Sequence, residues 1–170
     1  MNKLKIISVV FILFGLFGFR SEKSSLKFTK EIPSDFYFTI NNGATDSYNS
    51  QYNSFYRDYH DGEKTIKVEL TREEKEKIYE FVLRVKFFEM PILFEPNAND
   101  TKWITNPSFQ ESIVVFANGN KKHVSYYTGH TSEMNEKKAK PFLDLYKMIW
   151  EILYKKKEIQ ELSKSDYEYR

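Results

Sequence analysis

The chain contains no cysteine and few glycines. The first absence excludes disulfides, thiolate nucleophiles and cysteine-ligated metal sites. Of the six glycines, Gly15 and Gly18 lie in the first twenty residues, and three others follow Asn or Asp in turn-forming pairs. Phosphate-binding loops need several close glycines, and no G-x-S-x-G nucleophile motif occurs, so neither class of site is expected.

A strong excess of one charge is also missing. The formal net charge is +2, yet Lys3, Lys5 and Arg20 precede every acidic residue, so the remaining chain carries 23 basic against 24 acidic side chains. Such a nearly neutral chain lacks the positive field that nucleic-acid binding requires. We therefore expect no nucleic-acid partner.

An apolar run at residues 6–19 follows Lys3 and Lys5. A membrane-spanning helix needs about 20 apolar residues, whereas the apolar core of a signal peptide has roughly 7–15. The length of this run therefore fits a signal peptide. Residues 1–20 are therefore predicted to be a signal peptide or, because no A-x-A-like cleavage site follows, a short membrane anchor. A buried core helix is the alternative. We expect export across a bacterial inner membrane, to the periplasm or beyond, with membrane contact only through this segment.

The rest of the chain is predicted to form a polar tether at residues 21–34, one α+β domain at residues 35–163 and a charged end at residues 164–170. Strands are indicated by DFYFTI, by residues 54–60 and by the alternating KTIKVEL. Two more strands flank Asn118-Gly119, a pair typical of a tight β-hairpin.

Two helices are predicted. Thr71 and Glu74 form a capping-box pattern ahead of an amphipathic helix. Pro141 suits the first turn of a second helix that would extend to about Leu162, with GHTSEMNEKK before it as a loop. The expected fold is an antiparallel sheet of about five strands with two amphipathic helices packed on one face, preceded by the signal helix.

Two segments are candidates for binding. The proline-interrupted residues 92–107 form a long loop without periodicity, and Phe94 and Trp103 within it could anchor a partner or cover the core. The tyrosine-rich segment containing Tyr52 and Tyr56 resembles adaptable recognition surfaces in composition, although an edge strand explains that composition better.

Asp58, His60 and Asp61 form the one cluster suited to acid–base or metal chemistry, but a strand ending in an Asp-Gly turn has the same composition. His123 and His130 stand apart, and no H-E-x-x-H motif occurs. No catalytic residue, metal ligand or cofactor is therefore assigned.

The helix start LTREE at residues 70–74 and the helix exit FFEMP at residues 87–91, with the order of elements around them, resemble small exported bacterial domains of unknown function. This resemblance implies no functional residue. The expected function is a non-enzymatic module that binds another envelope protein or a small ligand. Two alternatives stay open, namely a hydrolase or metal-dependent enzyme using His60 with Asp58 or Asp61, and a structural or assembly subunit of the envelope.

Overall fold

A computed structural model describes residues 31–96, 99–100 and 103–167. The predicted signal segment and residues 21–30 of the predicted tether lie outside these residues. No helix within them has the length and apolar character needed to cross a bilayer.

The described residues form nine strands, three α-helices and one short 3₁₀ helix. The strands are β1 (Tyr37–Asn41), β2 (Asp46–Asn49), β3 (Ser54–Tyr59), β4 (Gly62–Lys67), β5 (Leu93–Phe94), β6 (Trp103–Ile104), β7 (Gln110–Ala117), β8 (Asn120–Tyr127) and β9 (His130–Thr131). The helices are α1 (Arg72–Arg84), α2 (Glu133–Leu153) and α3 (Lys157–Gln160), with the 3₁₀ helix at Phe87–Glu89.

Seven strands form one sheet in the order β4-β3-β2-β1-β7-β8-β5, and β6 pairs separately with β9. The large sheet is antiparallel except where β5 runs parallel to β8. The α+β class is confirmed, but the prediction of about five strands, all antiparallel, is wrong. It missed β2 because small polar residues hide its alternation, and β5 because two residues are too short to show any.

One face of the sheet and the two long helices share a single core. Because side chains alternate along a strand, Phe38 and Ile40 point to the same face, and both are fully buried. The core side chains of this sheet face include Phe38, Ile40, Tyr48, Phe55, Ile113, Val115 and Val124, and those of the helices include Ile78, Val82, Phe142, Leu145, Ile149 and Leu153. The helices therefore cover the same face, as the apolar stripes predict.

The capping box at the start of α1 is confirmed. The Thr71 hydroxyl accepts a hydrogen bond from the Glu74 backbone N–H at 3.2 Å, and the Glu74 carboxylate accepts one from the Thr71 N–H at 2.7 Å. Each bond satisfies a donor that the helix geometry leaves unpaired, which explains why the helix begins here.

The predicted boundaries of the second long helix are wrong. α2 begins at Glu133, where the Ser132 hydroxyl accepts from the Asn135 N–H at 3.1 Å, so Pro141 lies inside the helix. Asn135 and Ala139 are buried ahead of the proline. This packing outweighs the hydrogen bond that Pro141 cannot donate. α2 ends at Leu153, and the short α3 follows it.

Thr71→Ala is expected to lower the free energy of unfolding by about 1 kcal/mol, because it removes the capping hydroxyl. Thr71→Ser is the matched control, since it keeps the hydroxyl and should retain most of the stability. Urea unfolding followed by circular dichroism measures both. Equal midpoints for Thr71→Ala and wild type would contradict a stabilising cap.

Candidate functional site

A groove of about 790 Å³ lies between the C-terminal half of α2 and the turn that joins β1 to β2. Asn42 lines it from the turn. The helical side and the two residues after it contribute Tyr146, Lys147, Trp150, Glu151, Tyr154 and Lys155. The groove is open to solvent, and it combines aromatic side chains with a few polar groups, as small-molecule sites do.

The aromatic wall arises from a four-residue spacing along α2. The ring centroids of Phe142 and Tyr146 lie 5.9 Å apart, those of Tyr146 and Trp150 lie 6.1 Å apart, and those of Trp150 and Tyr154 lie 5.2 Å apart. Four residues advance a helix by about 40° beyond a full turn, so the row drifts around the helix. It runs from Phe142 in the core to Tyr154, which is 41% exposed at the mouth of the groove.

The indole N–H of Trp150 is buried beside the groove. The residue is only 6% exposed, and its Nε1 makes no hydrogen bond of normal geometry. The indole opposes the rise in the pKa of the Tyr146 hydroxyl, as a hydrogen-bond donor does, so this hydroxyl is a weak partner for it. Buried indole N–H groups normally find an acceptor, and here the acceptor lies inside the fold.

A buried ion pair holds Tyr154, one of the residues that line the groove. Arg57 on β3 lies directly opposite Asp46 on β2, and its Nε and Nη2 donate to the two Asp46 carboxylate oxygens at 2.8 and 2.7 Å. The Tyr154 hydroxyl donates to Asp46 Oδ2 at 3.0 Å, and Arg57 Nη1 donates to the Ser163 carbonyl at 3.1 Å. The pair therefore ties the end of α2 and the C-terminal residues to the sheet.

Asn42 lines the groove on the side opposite the helix. Its side-chain carbonyl accepts the backbone N–H groups of Ala44, Thr45 and Asp46, each at 2.9 Å, which fixes the turn. Burial and then the Asp46 carboxylate raise the pKa of Tyr154, while Asn42 opposes this rise. The Tyr154 hydroxyl therefore stays protonated and continues to donate to Asp46 at neutral pH.

Glu111, on β7, interacts with Tyr146 behind the groove. Burial raises the pKa of the Glu111 carboxyl, and its hydrogen bond with Tyr146 lowers it in part. Burial is also the first cause of the raised pKa of Tyr146, followed by the charge of Glu111. The two groups therefore form a desolvated polar contact next to the aromatic wall.

The residues predicted for binding lie elsewhere. Phe94 is buried in the core, with its ring 6.1 Å from that of Phe142, whereas Tyr52 is 70% exposed in the β2–β3 turn. Tyr56 alternates with the buried Phe55 and so lies on the sheet face away from the helices. The backbone of Trp103 pairs with β9, and its side chain lies outside the described part of the chain. No described side chain of this set lines the groove, and their binding roles stay predictions.

The alternative site around His60 is occupied by the C-terminal residues. The His60 and Tyr167 rings pack edge-on, with their centroids 5.3 Å apart. The backbone N–H of His60 donates to the Asp166 carboxylate at 3.0 Å. The Ser165 hydroxyl donates to the Asp58 carbonyl at 2.7 Å. Among the described residues, no cluster of three or more histidine and acidic side chains could hold a metal ion.

Sequence reasoning recognised Tyr146 and Trp150 only as parts of an apolar stripe, and it assigned Asn42 to a turn. The signal that could have marked the groove is the aromatic residue at every fourth position from Phe142 to Tyr154. Its drift around the helix predicts that the last ring leaves the core.

Comparison with known proteins adds no further support, since no family model, curated protein or solved structure matches the chain. The candidate site therefore rests on geometry and chemistry alone. The groove is the strongest candidate because an aromatic wall and groups of shifted pKa meet there.

Removing one partner of the buried ion pair should be far more costly than removing one partner of a surface pair. Arg57→Met is expected to lower the free energy of unfolding by about 3–5 kcal/mol, because Asp46 would be left buried and uncompensated. The control is Lys67→Met, which breaks the exposed pair with Glu69 and should cost less than about 1 kcal/mol. Urea denaturation of both variants checks this, and similar losses would show that the buried pair is not a structural anchor.

The raised pKa of Glu111 predicts a pH dependence of stability. Because the folded state holds this proton more tightly than the unfolded state, the free energy of unfolding should fall as pH rises from the ordinary value of 4.5 through the native pKa. Glu111→Gln should remove that part of the fall, whereas the exposed control Glu80→Gln should keep it. Unfolding curves across about pH 4 to pH 8 measure the difference. Parallel profiles for wild type and Glu111→Gln would contradict the assignment.

Proposed function

We propose that this domain is a non-enzymatic binding module that holds a small ligand with a flat apolar face in the groove beside α2. The observation that carries the proposal is the row of aromatic side chains along a concave surface, which ends in the 41% exposed ring of Tyr154. A flat apolar molecule bound there would stack on that ring.

The groove chemistry favours binding over catalysis. Its aromatic side chains offer ring faces for stacking, and the exposed Tyr154 ring supplies such a face at the mouth. Lys147 and Glu151 form a long exposed contact of 3.9 Å, typical of a helix surface pair. Neither feature provides the close nucleophile-and-base arrangement that covalent catalysis needs.

A second candidate function is capture of another envelope protein at the other end of α2. Ile92 and Ile104 are 67% and 77% exposed, and Met134, near the start of α2, is also exposed. Pro91 and Leu93, which flank Ile92, line a small cavity with Met134. Exposed apolar side chains of this kind favour a protein contact, in keeping with the expectation for residues 92–107.

Export supplies the proposed setting for either function. The apolar run at residues 6–19 behind Lys3 and Lys5 supports a signal peptide or anchor, so we place the module in the bacterial envelope.

The test uses N-phenyl-1-naphthylamine, a neutral aromatic probe whose fluorescence rises in apolar surroundings. Tyr154→Ala should weaken probe binding roughly tenfold, because it removes the ring at the mouth of the groove. Tyr154→Phe is the matched control: it loses the same hydrogen bond to Asp46 but keeps the ring, and it should bind like wild type.

Equal probe affinity for Tyr154→Ala, Tyr154→Phe and wild type would reject the groove as the binding site. Ile104→Ala separates the two candidate functions. If that substitution alone abolished probe binding, the exposed apolar group near the start of α2 would be the site instead.

A further inference from the structure

The outer side of β4 is an open strand edge. β4 is a terminal strand of the seven-stranded sheet, and five of its six residues are exposed. Its pairing with β3 runs without a bulge, and it contains no proline. Such an edge is a template for another strand, and proteins usually block it with a bulge, a proline or a covering segment. No described residue of the chain pairs with β4 on its open side.

Three residues of β4 direct their backbone hydrogen-bonding groups to this open side. The N–H of Asp58 on β3 donates toward β2, to the Thr45 carbonyl at 2.9 Å. Glu63 lies directly opposite Asp58, so its own N–H and C=O point away from β3. Because the direction alternates along a strand, Thr65 and Lys67 point outward as well. The edge can therefore exchange hydrogen bonds with a second strand at three positions.

The side chains at these three positions form a self-complementary order of charge. Glu63, Thr65 and Lys67 lie on one face of the sheet, because side chains alternate along a strand. In an antiparallel pair of β4 strands centred on Thr65, Glu63 of each copy would lie opposite Lys67 of the other. Opposite charges placed across two strands stabilise the pairing. The register that aligns the outward backbone groups thus also brings together two pairs of opposite charge.

The neighbouring registers bring like charges together. A pair centred on Lys64 would place the two Lys64 side chains opposite each other. A pair centred on Ile66 would place Glu63 of each copy opposite Glu69 of the other. Like charges directly opposite each other are destabilising, so the charge pattern selects the register centred on Thr65.

Glu63 also lacks a cation within its own copy. It lies opposite the carboxylate of Asp58, and none of the ion pairs formed by the described residues includes it. Lys67 bonds Glu69 at 2.7 Å, but both side chains are largely exposed. Because an ammonium group has three N–H donors, Lys67 can bond a second carboxylate as well. A second copy would therefore supply the positive charge that Glu63 lacks.

We infer that the chain forms a symmetric dimer in which two β4 strands pair antiparallel about Thr65 and join the two sheets into one. Closed two-fold symmetry is the commonest arrangement of identical subunits. Because a six-residue strand covers less area than the roughly 1,200–2,000 Å² of a standard interface, we expect a weak dimer with a Kd on the order of 100 μM. This inference goes beyond the proposed ligand function and does not depend on the groove.

Sedimentation velocity on the purified protein, from about 10 μM to 1 mM, tests the dimer. Wild type should change from monomer to dimer over this range. Glu63→Lys should weaken the dimer about tenfold, because both attractive charge pairs become repulsive. Combining Glu63→Lys with Lys67→Glu in one chain should restore the affinity, since opposite charges again face each other and the net charge is that of wild type.

Two further variants serve as controls. Glu80→Lys, at an exposed position of α1, makes the same change in net charge away from β4 and should leave the dimer unchanged. Thr65→Pro removes one outward N–H and no hydrogen bond to β3, so it should abolish the dimer. Circular dichroism checks that each variant is folded, and the charge exchange decides alone if Thr65→Pro is not.

Four results would overturn the inference. A monomer at every concentration would leave the β4 edge to residues 1–30 or to a strand of a different protein. A dimer that Glu63→Lys does not weaken would have its interface elsewhere. Equal weakening by Glu80→Lys would show an effect of net charge alone. Failure of the double exchange to restore the dimer would reject the pairing of Glu63 with Lys67.

Discussion

The paired charges of Asp46 and Arg57 are the interaction on which the geometry of the groove depends. Burying two charges costs more than their attraction returns unless their remaining hydrogen-bonding positions are filled. Here both carboxylate oxygens and the third guanidinium nitrogen are filled, the last by the Ser163 carbonyl. The pair joins neighbouring strands to residues more than a hundred positions away. It is therefore a connector between elements as much as a source of stability.

The position of the aromatic wall follows from this connector. Tyr154 comes directly after the end of α2, where a helix would otherwise fray, and its hydroxyl is held on Asp46. With Tyr154 fixed, its ring covers one side of Trp150 at an interplanar angle of 16°. Trp150 is thereby confined with its N–H buried. The position of the aromatic wall is thus a consequence of how the helix end is anchored.

Local patterns could predict the parts of the fold that depend on neighbouring residues. The cap at Thr71 and Glu74 is an example, and so is the hairpin at Asn118-Gly119, where both residues have positive φ and β7 continues directly into β8. The parallel strand β5 could not be predicted, because its partner β8 lies some thirty residues on and two residues carry no periodicity. The prediction that the second long helix begins at Pro141 was wrong. Local preference favours a helix start at a proline, whereas tertiary packing continues this helix through it.

The groove was beyond sequence reasoning for a related reason. One wall comes from Asn42 and the other from Tyr146 and residues that follow it, and only the folded sheet brings the two walls together. The aromatic spacing on α2 predicted a buried stripe correctly, as the fully buried Phe142 shows. It could not show that the last ring would be held beside a turn from the other end of the domain.

The most direct test of the account is the behaviour of the Trp150 indole N–H in a ¹H–¹⁵N spectrum. The chain has two tryptophans, so Trp103→Phe assigns the two indole signals. On addition of N-phenyl-1-naphthylamine, the account predicts that the Trp150 indole signal shifts and exchanges more slowly with solvent, while that of Trp103 stays in place. A stationary Trp150 signal at saturating probe, or a shift confined to Trp103, would contradict it.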